Sequence, residues 1–376
     1  MQKRDFLFIL KSFFAWKALT LLAAFIGLNY LPLFSNNFLA GRIENYLKNP
    51  LFWGWANFDG EHYLSIAIYG YKNLQQAFFP LYPFMIRLFS FSADLITNIW
   101  VGIIISNCAF LGSLFLFWKI IKLDFSSKVA KLSIIALLVF PTSFYFGAVY
   151  TESLFLFLSL LVFYLYRTNR YFWSGLIGIL MTLTRINGVF VLLMILVDVL
   201  TRKMFFKKGV FLVWISFLGI LFYLLYLKLN YSDPFIFYKM QDIFGDQRKT
   251  GIILLPQVFV RYIKIFVLSK MQLAMFQTTL LEFLIAILFT FLPIYAFLKK
   301  FNLSYVTYIV LVFLTFSSFG SFSSIPRYVL LVFPAFMVLG AILQKFPKTI
   351  QVFYFLLSTI WLIINTALFI RGYWIA

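Results

Sequence analysis

NIWVGIIISNCAFLGSLFLFWKII, residues 98–121, decides the solvent in which this chain folds. Its 24 residues hold one charge, Lys119, and they exceed the roughly 20 apolar residues a helix needs to cross a bilayer. Comparable runs recur at 12–34, 129–149, 152–167, 209–229, 276–298, 302–322, 326–344 and 349–370. The stretch 171–200 is equally apolar, but Thr184, Arg185, Asn187 and Gly188 interrupt it. It reads as two short helices meeting at a polar break, tolerated at membrane depth where protein or enclosed water satisfies the freed backbone. The expectation is an all-α polytopic membrane protein with about 11 transmembrane helices in a single domain, 1–376. Residues 1–34, a basic start and a long apolar run without a small-residue cleavage site, read as an uncleaved first helix.

The composition agrees. Of 376 residues, 63% are hydrophobic and 12% charged, far from the near-half and quarter of a soluble domain. The net charge of +20 does not point to nucleic acid, because the cations form short clusters between apolar runs instead of a stripe on a soluble surface. Membrane lipids with anionic head groups are the expected partners of that surplus. One cysteine, Cys108, and one histidine, His62, leave no intrachain disulfide and no zinc cluster.

Those clusters set an orientation. They are Lys3, Arg4 and Lys11; Lys119, Lys122, Lys128 and Lys131; Arg167 and Arg170; Arg202, Lys203, Lys207 and Lys208; Lys299 and Lys300; Lys345 and Lys348. An inside amino terminus, with 171–200 crossing out and back, puts all of them on the cytoplasmic side. Two long loops then lie outside, 35–97 and 230–275. In the first, Arg42–Leu51 and Asp59–Ile68 are amphipathic and expected to lie along the interface. Long external loops over short internal ones make the external face the working surface.

With 12 acidic residues in the chain, each one near the membrane needs a reason. Trp55-Ala-Asn-Phe-Asp59-Gly-Glu-His62-Tyr63 is the densest polar constellation. If it opens a helix, Asp59 either caps it or shares a face with His62 three residues on. Glu152, in Tyr150-Thr151-Glu152-Ser153, sits where a carboxylate would complement a helix dipole or line a site. Asp233-Pro234 in the second loop reads as an ordinary turn or helix start. Arg185 at the polar break and Arg327 after Ser323-Ser-Ile-Pro either snorkel or neutralise a lipid phosphate, which suits a guanidinium fork. Carboxylates, an imidazole and cations beside lipid are what sugar transfer from a polyprenyl phosphate requires: a proton acceptor for the incoming hydroxyl and positive charge for the leaving phosphate.

An ordered series of segments carries a family resemblance. It runs W-A-N-F-D-G-E-H-Y-L-S-I-A-I-Y-G-Y at 55–71, F-F-P-L-Y-P at 78–83, F-P-T-S-F-Y-F at 140–146 and Y-T-E-S-L-F at 150–155. It continues with S-G-L-I-G at 174–178, L-T-R-I-N-G at 183–188, Asp233-Pro-Phe, Gln241 and R-Y-V-L-L-V-F-P at 327–334. The chain resembles the PIG-V family, the GPI mannosyltransferase 2-like proteins of the GT-C glycosyltransferase superfamily. Ile186 stands where that family usually has proline. The resemblance implies a GT-C type fold and a polyprenyl- or dolichyl-phosphate mannose donor. It also implies inversion at the sugar carbon and an active site on the non-cytoplasmic face, of the plasma (inner) membrane in a prokaryote or the endoplasmic reticulum in a eukaryote. By motif position, Asp59 and His62 are the expected catalytic residues, Asp59 as the general base. Glu152, Arg185, Asp233, Gln241, Arg327 and Tyr328 are the expected substrate contacts. No cofactor or divalent metal is expected, and Asp59 with Glu61 is too little to hold one. The acceptor, whether glycan, glycolipid or protein, stays open, and GPI assembly does not follow. A multi-spanning lipid or lipid-linked glycan flippase is the alternative; it would show matched breaks in two halves, and the sequence offers one.

Overall fold

The computed structural model describes residues 1–34, 39–72, 74–204, 207–241 and 253–375. Parts of both long loops, and the side chain of Gln241, lie outside the described residues. The described chain is all-α, without a strand. Five helices are long and apolar enough to cross a membrane: Lys3–Tyr30, Leu95–Asp124, Val210–Tyr231, Leu273–Leu298 and Lys348–Ile370. A sixth is reached if Ile325–Leu331 and Phe333–Leu343 count as one span bent by 88°. By this measure the expected count of 11 is not reached.

The shortfall has local causes. The run 129–149 ends as an α-helix at Leu138, and a 3-10 turn, Ser143–Gly147, follows Pro141. Proline lacks a donor and drives the residue before it away from helical angles. The same chemistry breaks the expected 326–344 helix. Val332, two residues before Pro334, leaves the helical region at φ −88° and ψ 68°, and the helix Phe333–Leu343 starts with Pro334 in its first turn. Tyr171–Thr184 and Gly188–Thr201 hold 14 residues each and part at Arg185, as the polar break predicts.

Close approach holds the bundle together. A Cβ on Gly27 would stand 2.7 Å from the carbonyl oxygen of Ala367, so Lys3–Tyr30 lies directly on Lys348–Ile370. The S-G-L-I-G segment is likewise a packing device: a Cβ on Gly178 would stand 1.8 Å from Oγ of Ser216. Small residues that let helices touch backbone to backbone are the membrane substitute for a hydrophobic driving force.

The loops divide between two ends. At one end Arg167 binds Asp124 through two bonds of 2.8 and 3.1 Å, Asn302 binds Asp198 at 2.6 Å, and Lys345 reaches Tyr295. The basic clusters gather there. The first long loop packs at the other end, where Val149 donates to the carbonyl of Trp55 and Thr142 to that of Pro326. The Asp59–Tyr69 helix buries Tyr63, Leu64, Ile66 and Ala67 in the core. A Gly27→Leu variant is expected to lose about 1–3 kcal/mol of stability to overpacking. Thermal aggregation in detergent, followed by size-exclusion chromatography, should show this, while Phe25→Leu on the exposed face behaves as wild type.

Candidate active site

The site begins with a strained turn. Phe58 adopts φ 59°, a left-handed angle costly for an aromatic residue, and the Asp59–Tyr69 helix starts immediately after it. No side chain caps that helix. Asp59 does not serve as the cap, and its carboxylate points instead to Arg327, whose Nη1 donates to Oδ2 at 2.6 Å.

Arg327 is itself fixed from behind. Its Nε donates to Oε1 of Glu152 at 2.6 Å, and its guanidinium lies 4.6 and 5.0 Å from the ring centres of Tyr150 and Tyr145. Oε1 of Glu152 accepts a second guanidinium bond, from Nη1 of Arg185 at 2.7 Å. That same Nη1 reaches Thr151 at 2.9 Å, and Thr151 meets the hydroxyl of Tyr63 at 3.2 Å. Two carboxylates and two guanidiniums therefore form one neutral chain, Asp59–Arg327–Glu152–Arg185. Glu152 is fully buried, Arg327 exposes 5% of its side chain and Arg185 14%; Asp59, at 23%, is the open end.

Both helix breaks feed this chain. The interruption at Arg185 and the bent segment carrying Arg327 each deliver a guanidinium to Glu152 at the first turn of Glu152–Arg167. The sequence shows one break; the structure has two, and they converge on one carboxylate. Tyr328 stacks on Phe316 at 3.7 Å between centroids, and Arg185 lies 5.6 Å from its ring centre.

His62 shares the helix of Asp59, stacked on Phe78 at 4.9 Å. Burial lowers its pKa from the ordinary 6.5, and the charge of Asp59 works against that shift. Asp233 stays local: it accepts from the backbone of Phe235 and from Lys239 at 2.6 Å, which hold its carboxyl below the usual range. It is not brought to the four-charge chain. Asn57, Tyr63, Tyr145, Tyr150 and Thr151, which surround that chain, were not singled out by the sequence; they stand inside quoted segments, but no spacing distinguishes them from the 22 tyrosines and other polar residues.

The sequence matches the family described as Mannosyltransferase (PIG-V) over residues 10–241, more than half of the chain. This chain belongs to the PIG-V mannosyltransferase family. The match holds Asp59, His62, Glu152 and Arg185; Arg327 lies beyond it, and the fold carries it in. No curated protein matches this PIG-V family chain. Among solved structures it is similar to the oligosaccharyltransferase of Archaeoglobus fulgidus, crystallised with a tethered acceptor peptide, at 12% identity and a TM-score of 0.46. That likeness covers 96% of this chain and 55% of the other, so the chain spans about half the length of that enzyme.

Removing Glu152 leaves two guanidiniums with only the carboxylate of Asp59, and Arg185 loses its ion-pair partner. Glu152→Ala is expected to cost about 3–5 kcal/mol, the penalty for breaking a buried pair, whereas Asp59→Asn at the open end costs far less. Thermal unfolding in detergent checks the order. As the chain has a single histidine, one imidazole resonance reports His62. Its NMR titration is expected below 6.5, and lower still in Asp59→Asn, where the opposing carboxylate is gone. In linkage terms, the unfolded imidazole protonates first as pH falls through 6.5, so His62 withdraws stability below that pH and none above it.

Proposed function

We propose that this protein transfers mannose from a polyprenyl- or dolichyl-phosphate carrier to an acceptor on the non-cytoplasmic side of the membrane, as a GT-C type enzyme that inverts the sugar carbon. The observation that carries this reading is the 2.6 Å pair between the partly open carboxylate of Asp59 and the buried guanidinium of Arg327, within a chain of the PIG-V family.

The acceptor hydroxyl oxygen bonds to the anomeric carbon from the face opposite the phosphate. The bond from that carbon to the carrier phosphate breaks, and the phosphate departs with the electron pair. The hydroxyl proton passes to Asp59, the general base. Arg327 holds Asp59 in one rotamer, and Glu152 holds Arg327, so the base is positioned before the substrate arrives. Arg185, the more open of the two guanidiniums, meets the charge that grows on the leaving phosphate. Phosphate leaves as a stable anion, so the reading assigns no general acid and no resident metal. His62, on the same helix, is read together with the base as a catalytic residue. Asp233 and Gln241 would meet substrate only from the second loop.

The sidedness of the proposal rests on the separation of charge. The basic loops gather at the end remote from Asp59, and lysine- and arginine-rich loops face the cytoplasm. The carrier lipid would then reach Asp59 from the non-cytoplasmic leaflet, in a plasma membrane or an endoplasmic reticulum membrane according to the source. Glycan, glycolipid and protein hydroxyls all satisfy the chemistry as acceptors.

Asp59→Asn is expected to lose about 10²–10⁴-fold in turnover, the usual worth of a general base, with carrier-lipid affinity within a few-fold of wild type. Release of polyprenyl phosphate from synthetic polyprenyl-phosphate mannose by purified protein measures it. A mutant that kept most of its turnover would remove Asp59 from the chemistry.

A further inference from the structure

The end of the last helix and the segment after it, Arg371–Ile375, are built into the site. The amide of Asn57 donates to the carbonyls of Phe369 and Ile370 at 3.1 and 3.4 Å, and the hydroxyl of Tyr46 also bonds Ile370. Phe34 donates to the carbonyl of Arg371 at 2.9 Å, and Tyr373 folds back onto Leu368 at 3.1 Å. The hydroxyl of Tyr145, whose ring lies against Arg327, donates to the carbonyl of Ile375. Within this pinned backbone stands Trp374. Its indole meets the ring of Phe58 edge-on at 5.0 Å, and Phe58 is the strained residue that aims Asp59. Two routes, through Phe58 and through Ile375 with Tyr145, thus tie Trp374 to the Asp59–Arg327 pair. Yet Trp374 is 42% exposed, whereas its neighbour Ile375 is buried to 1%.

An exposed indole packed on the residue that precedes the proposed base has a natural ligand class. One face of a pyranose ring carries only C–H bonds; these are weakly positive and are drawn to the electron-rich face of an indole, while the hydroxyls point to polar groups. The other flank of the site carries Arg185 and is suited to phosphate. We propose that Trp374 is the stacking platform for the acceptor, and that the acceptor presents a pyranose sugar to Asp59. This rests on the transfer reading and assigns a residue to acceptor binding within it. It also gives Trp374 a part in specificity that an indole merely sitting at a membrane interface would not have.

The test uses the purified full chain, polyprenyl-phosphate mannose as donor and octyl α-mannoside as acceptor probe. In Trp374→Ala the acceptor KM is expected to rise about tenfold, the worth of one good aromatic contact, with donor KM within about twofold. Trp374→Phe, which keeps an aromatic face, should recover part of the loss. Saturation-transfer NMR provides a readout without turnover: the mannoside ring protons should receive magnetisation from wild type and much less from Trp374→Ala. An acceptor KM unchanged in Trp374→Ala, or both KM values raised equally along with a fall in thermal stability, overturns the platform and assigns Trp374 to packing. If wild type turns over but Trp374→Ala binds the mannoside equally well, the platform is wrong and the transfer reading stands. If wild type releases no polyprenyl phosphate yet binds the mannoside through Trp374, the platform stands and the transfer reading fails.

Discussion

One oxygen atom organises the interior of this protein. Oε1 of Glu152 accepts from Arg327 and from Arg185, and around it the chain passes through a region where charge is expensive. A lone arginine at the centre of a spanning helix costs on the order of 3 kcal/mol on insertion scales. Here each guanidinium meets the same carboxylate, the second carboxylate caps the series, and the net charge is zero. The arrangement fixes the rotamers of four side chains from four distant stretches of sequence. Its stability value matters less than its geometry, because a buried pair seldom outdoes well-packed apolar residues. What it provides is a carboxylate held in place with one face open.

The broken helices follow from this centre. A continuous helix satisfies its own backbone, and a break in lipid exposes groups that nothing in hydrocarbon will bond. Both breaks here are turned inward to polar partners. Arg185 opens one, with Thr151 and Glu152 opposite it; the other carries Arg327, and Thr142 accepts the task of bonding the carbonyl of Pro326. The first loop is drawn in for the same reason, with Asn57 and Tyr46 bonding carbonyls at the end of the last helix. Helices that read as separate spans or surface elements are therefore parts of one polar seam.

Much of that seam is legible in the sequence, since charges stand out where the background is apolar. Glu152, Arg185 and Arg327 are visible because each lies in or beside a long hydrophobic run, where an acid or base needs an explanation, and Asp59 because it sits in the densest polar constellation of the first loop. Their pairing is not legible: Arg327 and Asp59 are 268 residues apart, and no local rule selects one arginine over another. Asp233 shows the converse, a carboxylate in a conspicuous Asp-Pro pair whose partners are all within its own turn. The bend near Val332 had a signal in Pro334, but apolar length alone outweighed it. Tyr145, Tyr150 and Trp374 escaped because aromatic residues are everywhere in this chain and only three-dimensional position separates those that touch the site.

The spacing of the four charges along the chain also bears on biogenesis. Both acids are synthesised before either base. Arg185 follows Glu152 by 33 residues, but Arg327 follows it by 175. Through that interval the nascent bundle holds a surplus carboxylate in a setting where acidic groups insert poorly. The four-charge chain is complete only once the arginine of the late, sharply bent segment has been made.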